Sequence, residues 1–406
     1  MVSKLIDWNK VSLRDNLDIL TGYAFSSKKF NDSDGLPLIR IRDLLSHNPV
    51  TKYSGEYDEL YLIEKNDVLI GMDGEFNIVR WKGPKSLLNQ RVAKIKSSNK
   101  NLIDNKFIYY RMHSELKRIE ALTPATTVKH LAKKDIQNLT LLLPPIKKQQ
   151  KIAAILSSVD EAIEKTEQII EQTETVKKGL MQQLLTKGIG HTEFKDSPFG
   201  KIPSNWKTVF IEDVVEINPE NLSSKTDDFY ELDYIDIASI EKNNITGTNR
   251  YLFKDAPSRA RRKVKTGDTI VSTVRPYLRG FAYINERYNE TVCSTGFAVL
   301  RSKNECHSDF LYQVILSDRF VNYLISNMTG SNYPAVKADD IKTYNFTLPP
   351  KDEQIKISNI LSEYHKKIET ELNKLTILNE IKKGLMQQLL TGKVRVPINE
   401  NEEVPS

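Results

Sequence analysis

Some residues of this chain have the types and spacing of covalent chemistry, and each falls short of a site. Gly200-Lys201 and Gly392-Lys393 could close a phosphate-binding loop, but Ile202 and Val394 stand where that motif needs a Ser or Thr hydroxyl. Gly71-Met-Asp-Gly74 lacks the Gly-x-Gly-x-x-Gly spacing. Asn218-Pro219-Glu220-Asn221 only echoes the Asn/Asp-Pro-Pro-aromatic tetrad of amino-methyltransferases. No Gly-x-Ser-x-Gly elbow and no His-Glu-x-x-His helix occurs. Glu193-Phe194-Lys195 could form half of a nuclease carboxylate-lysine pair, but this common tripeptide lies in a linker. His365 reads as a packing or exposed histidine on a helix. Two cysteines, Cys293 and Cys306, and six scattered histidines give no zinc-ligand spacing and suit buried thiols in a reducing cytosol. The expectation is a chain that catalyses nothing itself and binds no cofactor or metal.

Binding chemistry remains. Of the 406 residues, 59 are Lys or Arg and 53 are Asp or Glu, for a net charge of +6. Residues 1–142 hold 23 basic and 17 acidic side chains, so the first third carries the whole excess, while residues 191–347 are net −1. A hydrophobic content of 39% and a charged content of 28% are globular values, which argue against wholesale disorder, a fibre or a disulfide-stapled miniprotein. The longest apolar stretch, Leu139 to Ile146, is broken by Pro144 and Pro145, and the first ten residues show no apolar signal core. A cytoplasmic protein of two or three domains, with no membrane contact, is expected.

The elements that must position any binding residues are set by a duplication. Lys177-Lys-Gly-Leu-Met-Gln-Gln-Leu-Leu-Thr186 recurs letter for letter at Lys382 to Thr391, and residues 143–186 match residues 348–391 at 21 of 44 positions. Each copy opens on a Pro-Pro pair and continues as a long helix with a heptad seam. In the first copy the seam runs from Leu156 through Ile163 and Ile170 to Leu180 and Leu184; in the second it runs from Leu361 through Ile368 to Leu385 and Leu389. Each helix is about 60 Å long, too long for one domain to cover, so the two are expected to cover each other. The fold class is α+β: two mixed α/β domains separated by two long helices in an antiparallel coiled coil, with a pseudo-two-fold duplication. The boundaries are residues 1–142, helix 143–190, residues 191–347, helix 348–392 and a tail 393–406. Antiparallel helices would place the two domains at opposite ends of a rod.

The chain resembles the specificity subunit of type I restriction-modification systems over essentially its whole length. The resemblance rests on Gly22-Tyr-Ala-Phe25, Leu88-Asn-Gln-Arg-Val-Ala93, Leu143-Pro-Pro with Gln149, Lys177 to Thr186, Phe199-Gly-Lys-Ile-Pro203 with Trp206, Cys293-Ser-Thr-Gly-Phe-Ala298 and Leu390-Thr-Gly-Lys-Val-Arg395. It implies a host-defence scaffold whose two target-recognition domains each bind one half of a split, asymmetric sequence in double-stranded DNA. It further implies docking of two methyltransferase (M) subunits and of restriction (R) subunits. S-adenosylmethionine, ATP and Mg would then belong to those partners, and adenine methylation in each half would require base flipping. Gln149, Leu180, Leu184, Glu353, Gln354, Leu385 and Leu389 are the expected partner-docking positions. The first copy departs by carrying Lys148 where the second has Glu353, so an acidic residue that touched a partner would make the two ends dock unequally. The duplicated helices alone also permit a different class of protein, a coiled-coil adaptor that binds only proteins.

DNA reading needs basic side chains for phosphates and Arg, Asn or Gln for base edges. The first-domain candidates are Arg40 and Arg42, expected on one strand face, the loop Asp73, Glu75 and Asn77 with Arg80, and Asn89, Gln90 and Arg91. The loop with Thr126, Thr127 and Lys129 corresponds to the loop with Ser331, Asn332, Tyr333 and Lys337 in the other half. The second domain offers Arg259, Arg261, Arg262, Lys263 and Lys265, then Arg275, Tyr277 and Arg279 as the base-proximal group. The half-sites are expected about one helical turn apart, with the helices as the ruler.

Overall fold

Pro144-Pro145 and Pro349-Pro350 each join a strand to a long helix. In the computed structural model, which describes residues 7–124, 128–241, 243–330 and 334–397, strand Thr140–Leu143 leads into helix Ile146–Lys187, and strand Asn345–Leu348 leads into helix Lys351–Leu389. Proline cannot donate to a sheet ladder or continue a helix, but it suits a helix start, so each pair sets the boundary. The chain forms two compact units, Met1–Thr166 with Lys374–Ser406, and Glu167–Asn373. Each unit takes half of each long helix.

Within each unit the helix halves run antiparallel along the expected seam. In the first, Lys382 Nζ meets Asp160 Oδ1 at 2.7 Å; in the second, Lys177 Nζ lies 3.4 Å from His365 Nδ1. Leu156, Thr166, Ile170 and Thr173 on the first helix are buried, as are Leu361 and Ile368 on the second.

The first unit holds a four-stranded antiparallel sheet in the order Leu17–Thr21, Val92–Ser97, Val68–Gly71, Ile78–Arg80. The second repeats it with Val215–Ile217, Phe297–Ser302, Thr269–Ser272 and Phe281–Tyr283. A second sheet accompanies each, of five strands in the first unit and four in the second. In the first unit, Leu36–Ile39 pairs in parallel with Ser86–Leu88; in the second, Glu231–Ile235 pairs in parallel with Val292–Ser294. The intervening segments resemble each other only faintly in sequence, because a pleated sheet asks only for apolar residues on the buried face. Helix Asn105–Leu122 covers the first sheet with buried Phe107, Ile108 and Met112. Residues 308–326 form two helices, Ser308–Leu316 and Asp318–Ser326, because Ser317 turns extended and caps the second through the Phe320 N–H.

Each unit is locked to its long helices by a glutamine. Gln149 donates from Nε2 to the carbonyls of Leu102 and Pro144 and accepts the Asp104 N–H. Gln354 makes the same set, to the carbonyls of Glu305 and Pro349 and from the His307 N–H. Both side chains satisfy one donor and two acceptors of the main chain, so both N–H donors of each carboxamide are used.

Candidate functional site

In the first unit the sheet's connecting loops meet at one polar cluster. Asp73 follows strand Val68–Gly71, Arg91 precedes strand Val92–Ser97, and His130 pairs with Asp73 through an isolated β-bridge. His130 Nδ1 lies 2.6 Å from Asp73 Oδ1, and Arg91 Nη1 lies 3.3 Å from Asp73 Oδ2. The Met72 N–H donates to the Arg91 carbonyl, and the Gly74 N–H donates to the Lys129 carbonyl. Arg91 takes a left-handed backbone, φ 73°, in the turn just before the strand. Three candidates from separate segments, Asp73, Arg91 and Lys129, therefore converge. His130 was missed; its only signal was its place beside Lys129 in a candidate loop. Gln90 is exposed beside Arg91. Exposed Tyr23 accepts the Gln90 N–H at its carbonyl, with its ring 5.1 Å from Phe25.

The first-unit candidates differ in what their side chains do. Arg40 and Arg42 share no strand face: Arg40 follows strand Leu36–Ile39, and Arg42 sits in the 3-10 turn Ile41–Asp43, where Asp43 accepts the Arg40 N–H. Both remain exposed, although Arg42 Nη2 donates to Thr51 Oγ1. Asn89 is buried, with its carboxamide oxygen unpartnered, so it supports the turn and presents nothing outward. Lys129 Nζ donates to the Glu120 carbonyl at the end of helix Asn105–Leu122. Glu75 is exposed, Asn77 and Arg80 are half-buried, and Asn77 Nδ2 donates to Glu75 Oε2. Thr126, Thr127, Ser331, Asn332 and Tyr333 lie outside the described residues.

The same junction in the second unit is built from different side chains. The Thr273 N–H donates to the Gly296 carbonyl, the Val336 N–H donates to the Thr273 carbonyl, and Val274 bridges Ala335. Val274, Gly296 and Ala335 thus stand where the first unit has Asp73, Arg91 and His130. Lys337 is exposed, its N–H donating to Asp340.

The expected basic cluster of the second domain is largely engaged inside its own fold. Lys263 pairs with Glu290 at 3.3 Å and Lys265 with Glu220 at 2.5 Å; Arg261 lies 4.6 Å over the Phe253 ring. Arg262 is half-buried on strand Ala260–Lys263, with one guanidinium nitrogen unpartnered and its pKa lowered by burial. Arg259 alone of this group is exposed. Glu220, from the false methyltransferase echo, gathers Lys265 and Arg301, whose hydrogen bonds pull its pKa down to about 2. Arg279 pairs with Asp318, which also holds Lys178 at 2.9 Å.

Among the described residues no group of His, Cys, Asp and Glu is placed to hold a metal, and no helix is long and apolar enough to cross a membrane. Cys293 and Cys306 are free and buried, their thiols pushed up to about 12 by burial. Glu193-Phe194-Lys195 runs into hairpin strand Phe194–Ser197.

Comparison with known proteins gives this double arrangement a family. The family model described as the type I restriction modification DNA specificity domain matches twice, at residues 6–175 and 203–383. The chain belongs to the type I restriction-modification specificity family. The EcoBI specificity subunit of Escherichia coli is 26% identical over 410 residues, 95% of this chain and 86% of the relative. The MjaVIII specificity subunit of Methanocaldococcus jannaschii is 25% identical over 403 residues, covering 96% and 93%. The solved S subunit from M. genitalium superposes with a TM-score of 0.64 at 16% identity, covering 96% of this chain and 97% of that one, which shows a shared fold.

In this specificity-family chain the expected docking residues turn inward. Gln149 and Gln354 are each 1% exposed. Leu184 and Leu389 are buried, and Leu180 and Leu385 pack against the cores of their own units. Glu353 is also engaged: Oε1 accepts the Ile189 N–H and lies 2.7 Å from His191 Nε2, while Oε2 accepts the Trp206 indole N–H. A Cβ on Gly188, φ 65°, would sit 2.4 Å from that carboxylate, so glycine alone fits the break after the first helix. Lys148, its counterpart in the first copy, pairs with Asp7. The large apolar side chains that the long helices expose are Val176, Ile377 and Ile381, of which Val176 and Ile381 are one position of the repeat in its two copies.

Proposed function

We propose that this chain is the DNA-reading subunit of a type I restriction-modification complex. Each unit binds one half of a split, asymmetric target in double-stranded DNA. The observation that carries the reading is the pair of matched sheets whose connecting loops bear unlike side chains: Asp73, Arg91 and His130 in one, Val274, Gly296 and Ala335 in the other. A common scaffold with different groups at the same place suits two sites that read different bases.

In this reading the chain is non-catalytic and cytoplasmic. Two methyltransferase subunits and the restriction subunits dock on it and hold S-adenosylmethionine, ATP and Mg. With Leu180, Leu184, Leu385 and Leu389 turned inward, docking falls to the exposed faces, Val176 and Ile381 among them. Val176→Asp and Ile381→Asp each weaken methyltransferase co-purification while leaving the melting temperature unchanged.

The test is methylation-site mapping in cells carrying the system, with footprinting on the sites found. A bipartite motif with a fixed gap is expected. Neutralising Arg40, Arg42 and Arg91 lowers the slope of log affinity against log salt by about three. An unchanged slope rejects these residues as phosphate contacts, and indifference to DNA in the presence of the partner subunits returns the chain to the adaptor class.

A further inference from the structure

We propose that Tyr277 and Leu278 form an apolar wedge that enters DNA at the half-site bound by the second unit and opens a base step there. The proposal rests on the DNA-reading function above.

The loop that carries them differs from its counterpart. Hydrogen bonds from the Gly71 N–H to the Asn77 carbonyl, and from the Ser272 N–H to the Gly280 carbonyl, close the two loops at matching positions. The second-unit loop is two residues longer. Its aromatic has also changed sides: Phe76 is 4% exposed, its N–H held by Glu120, whereas Tyr277 is 45% and Leu278 67% exposed.

The longer loop is held rigidly. Pro276 is buried beneath it, and the Arg275 N–H donates to the Pro334 carbonyl, where the other candidate DNA loop of this unit returns. Asn243 Nδ2 donates to the carbonyls of Arg279 and Phe281, and the Arg279 guanidinium donates to the Leu316 carbonyl and to Asp318. Both flanking residues, Arg275 at φ 49° and Arg279 at φ 52°, are left-handed. Strain of that kind in non-glycine residues survives only where the surroundings over-determine it, and it concentrates at functional sites.

A fixed loop with two adjacent apolar side chains in water suits DNA better than a protein. A protein interface takes about 800 Å² from each partner. Opening a base step takes one or two apolar side chains, with the bend returning further backbone contacts.

The experiment uses the full chain, assembled with its methyltransferase partners, on its mapped target as a duplex labelled at both ends for energy transfer. The unaltered complex shortens the end-to-end distance. Tyr277→Ser with Leu278→Ser abolishes the shortening and weakens binding about tenfold, comparable to a mismatched base pair, with the split footprint intact. Tyr277→Phe with Leu278→Met, which keeps the apolar volume, retains the bend and shows that folding is not the cause. Three results overturn the wedge: an unbent duplex under an intact footprint, a bend that survives the serine variant, or a serine variant that loses methyltransferase assembly but not the bend. The last reassigns the loop to a protein contact. Absence of any split footprint for the unaltered complex overturns the DNA-reading function together with the wedge.

Discussion

Lys382 and Asp160 form a 2.7 Å ion pair between the two long helices in the first unit, and the same repeat positions in the second unit are Lys177 and His365. Tyr110 donates a second hydrogen bond to Asp160. Burial lowers the pKa of Lys177, and burial with the nearby Lys177 charge lowers that of His365, so this lysine meets an imidazole where its counterpart meets a carboxylate. Removing Asp160 leaves a largely buried ammonium unpaired. Asp160→Ala therefore destabilises by about 3 kcal/mol, more than the Asp160→Ala, Lys382→Met double variant. His365→Asp supplies the missing carboxylate and raises the melting temperature. Thermal denaturation of the four chains checks the order.

The Asp73 carboxylate holds Arg91 and His130 together. Asp73→Asn frees Arg91, costs about tenfold in affinity and relaxes selectivity at one position of one half-site. The other half-site is unchanged in the methylation map. Relaxation in both halves places the cluster away from the bases.

Gln149 and Gln354 each pair three main-chain groups. Gln354→Leu leaves those groups buried and unpaired, costing roughly 3 kcal/mol. Gln354→Glu keeps the acceptor and loses the two donations. Denaturant midpoints place it between the leucine variant and the unaltered chain.

His113 fixes the acid side of stability. Burial, with Lys382 and Lys117 nearby, lowers its pKa to about 4 from an ordinary 6.5, and Asp160 opposes the shift only in part. Its folded-state pKa is depressed, so the unfolded chain binds the proton first. The contribution of this histidine is complete above pH 6.5 and is lost, by up to about 3 kcal/mol, as pH drops to 4. His113→Leu flattens the unfolding free energy across that window; an unchanged slope shifts the effect to His47 and His365, whose pKa values are also lowered.

The helices were legible because their evidence is local: two Pro-Pro starts, a heptad seam and a ten-residue verbatim repeat. The mixed α/β character of the two domains was legible too. The matched sheet order was not, since pairing partners such as Val92 and Gly71 are far apart and share no sequence signal. Charge was ambiguous at Arg261 to Lys265, because a run of basic residues looks the same in sequence whether or not acids such as Glu220 and Glu290 answer it. The docking residues were ambiguous for a related reason: a repeated leucine or glutamine marks structural importance without saying whether it faces a partner or the fold. His130 became visible only when the bridge from Asp73 crossed the intervening helix.

The glutamine joints carry a consequence for how such a chain changes over generations. Gln149 and Gln354 consult only peptide N–H and carbonyl groups, so each joint is indifferent to the side chains of the loop it grips. Any segment that presents the same loop backbone meets the same hydrogen-bonding groups, whatever side chains it carries.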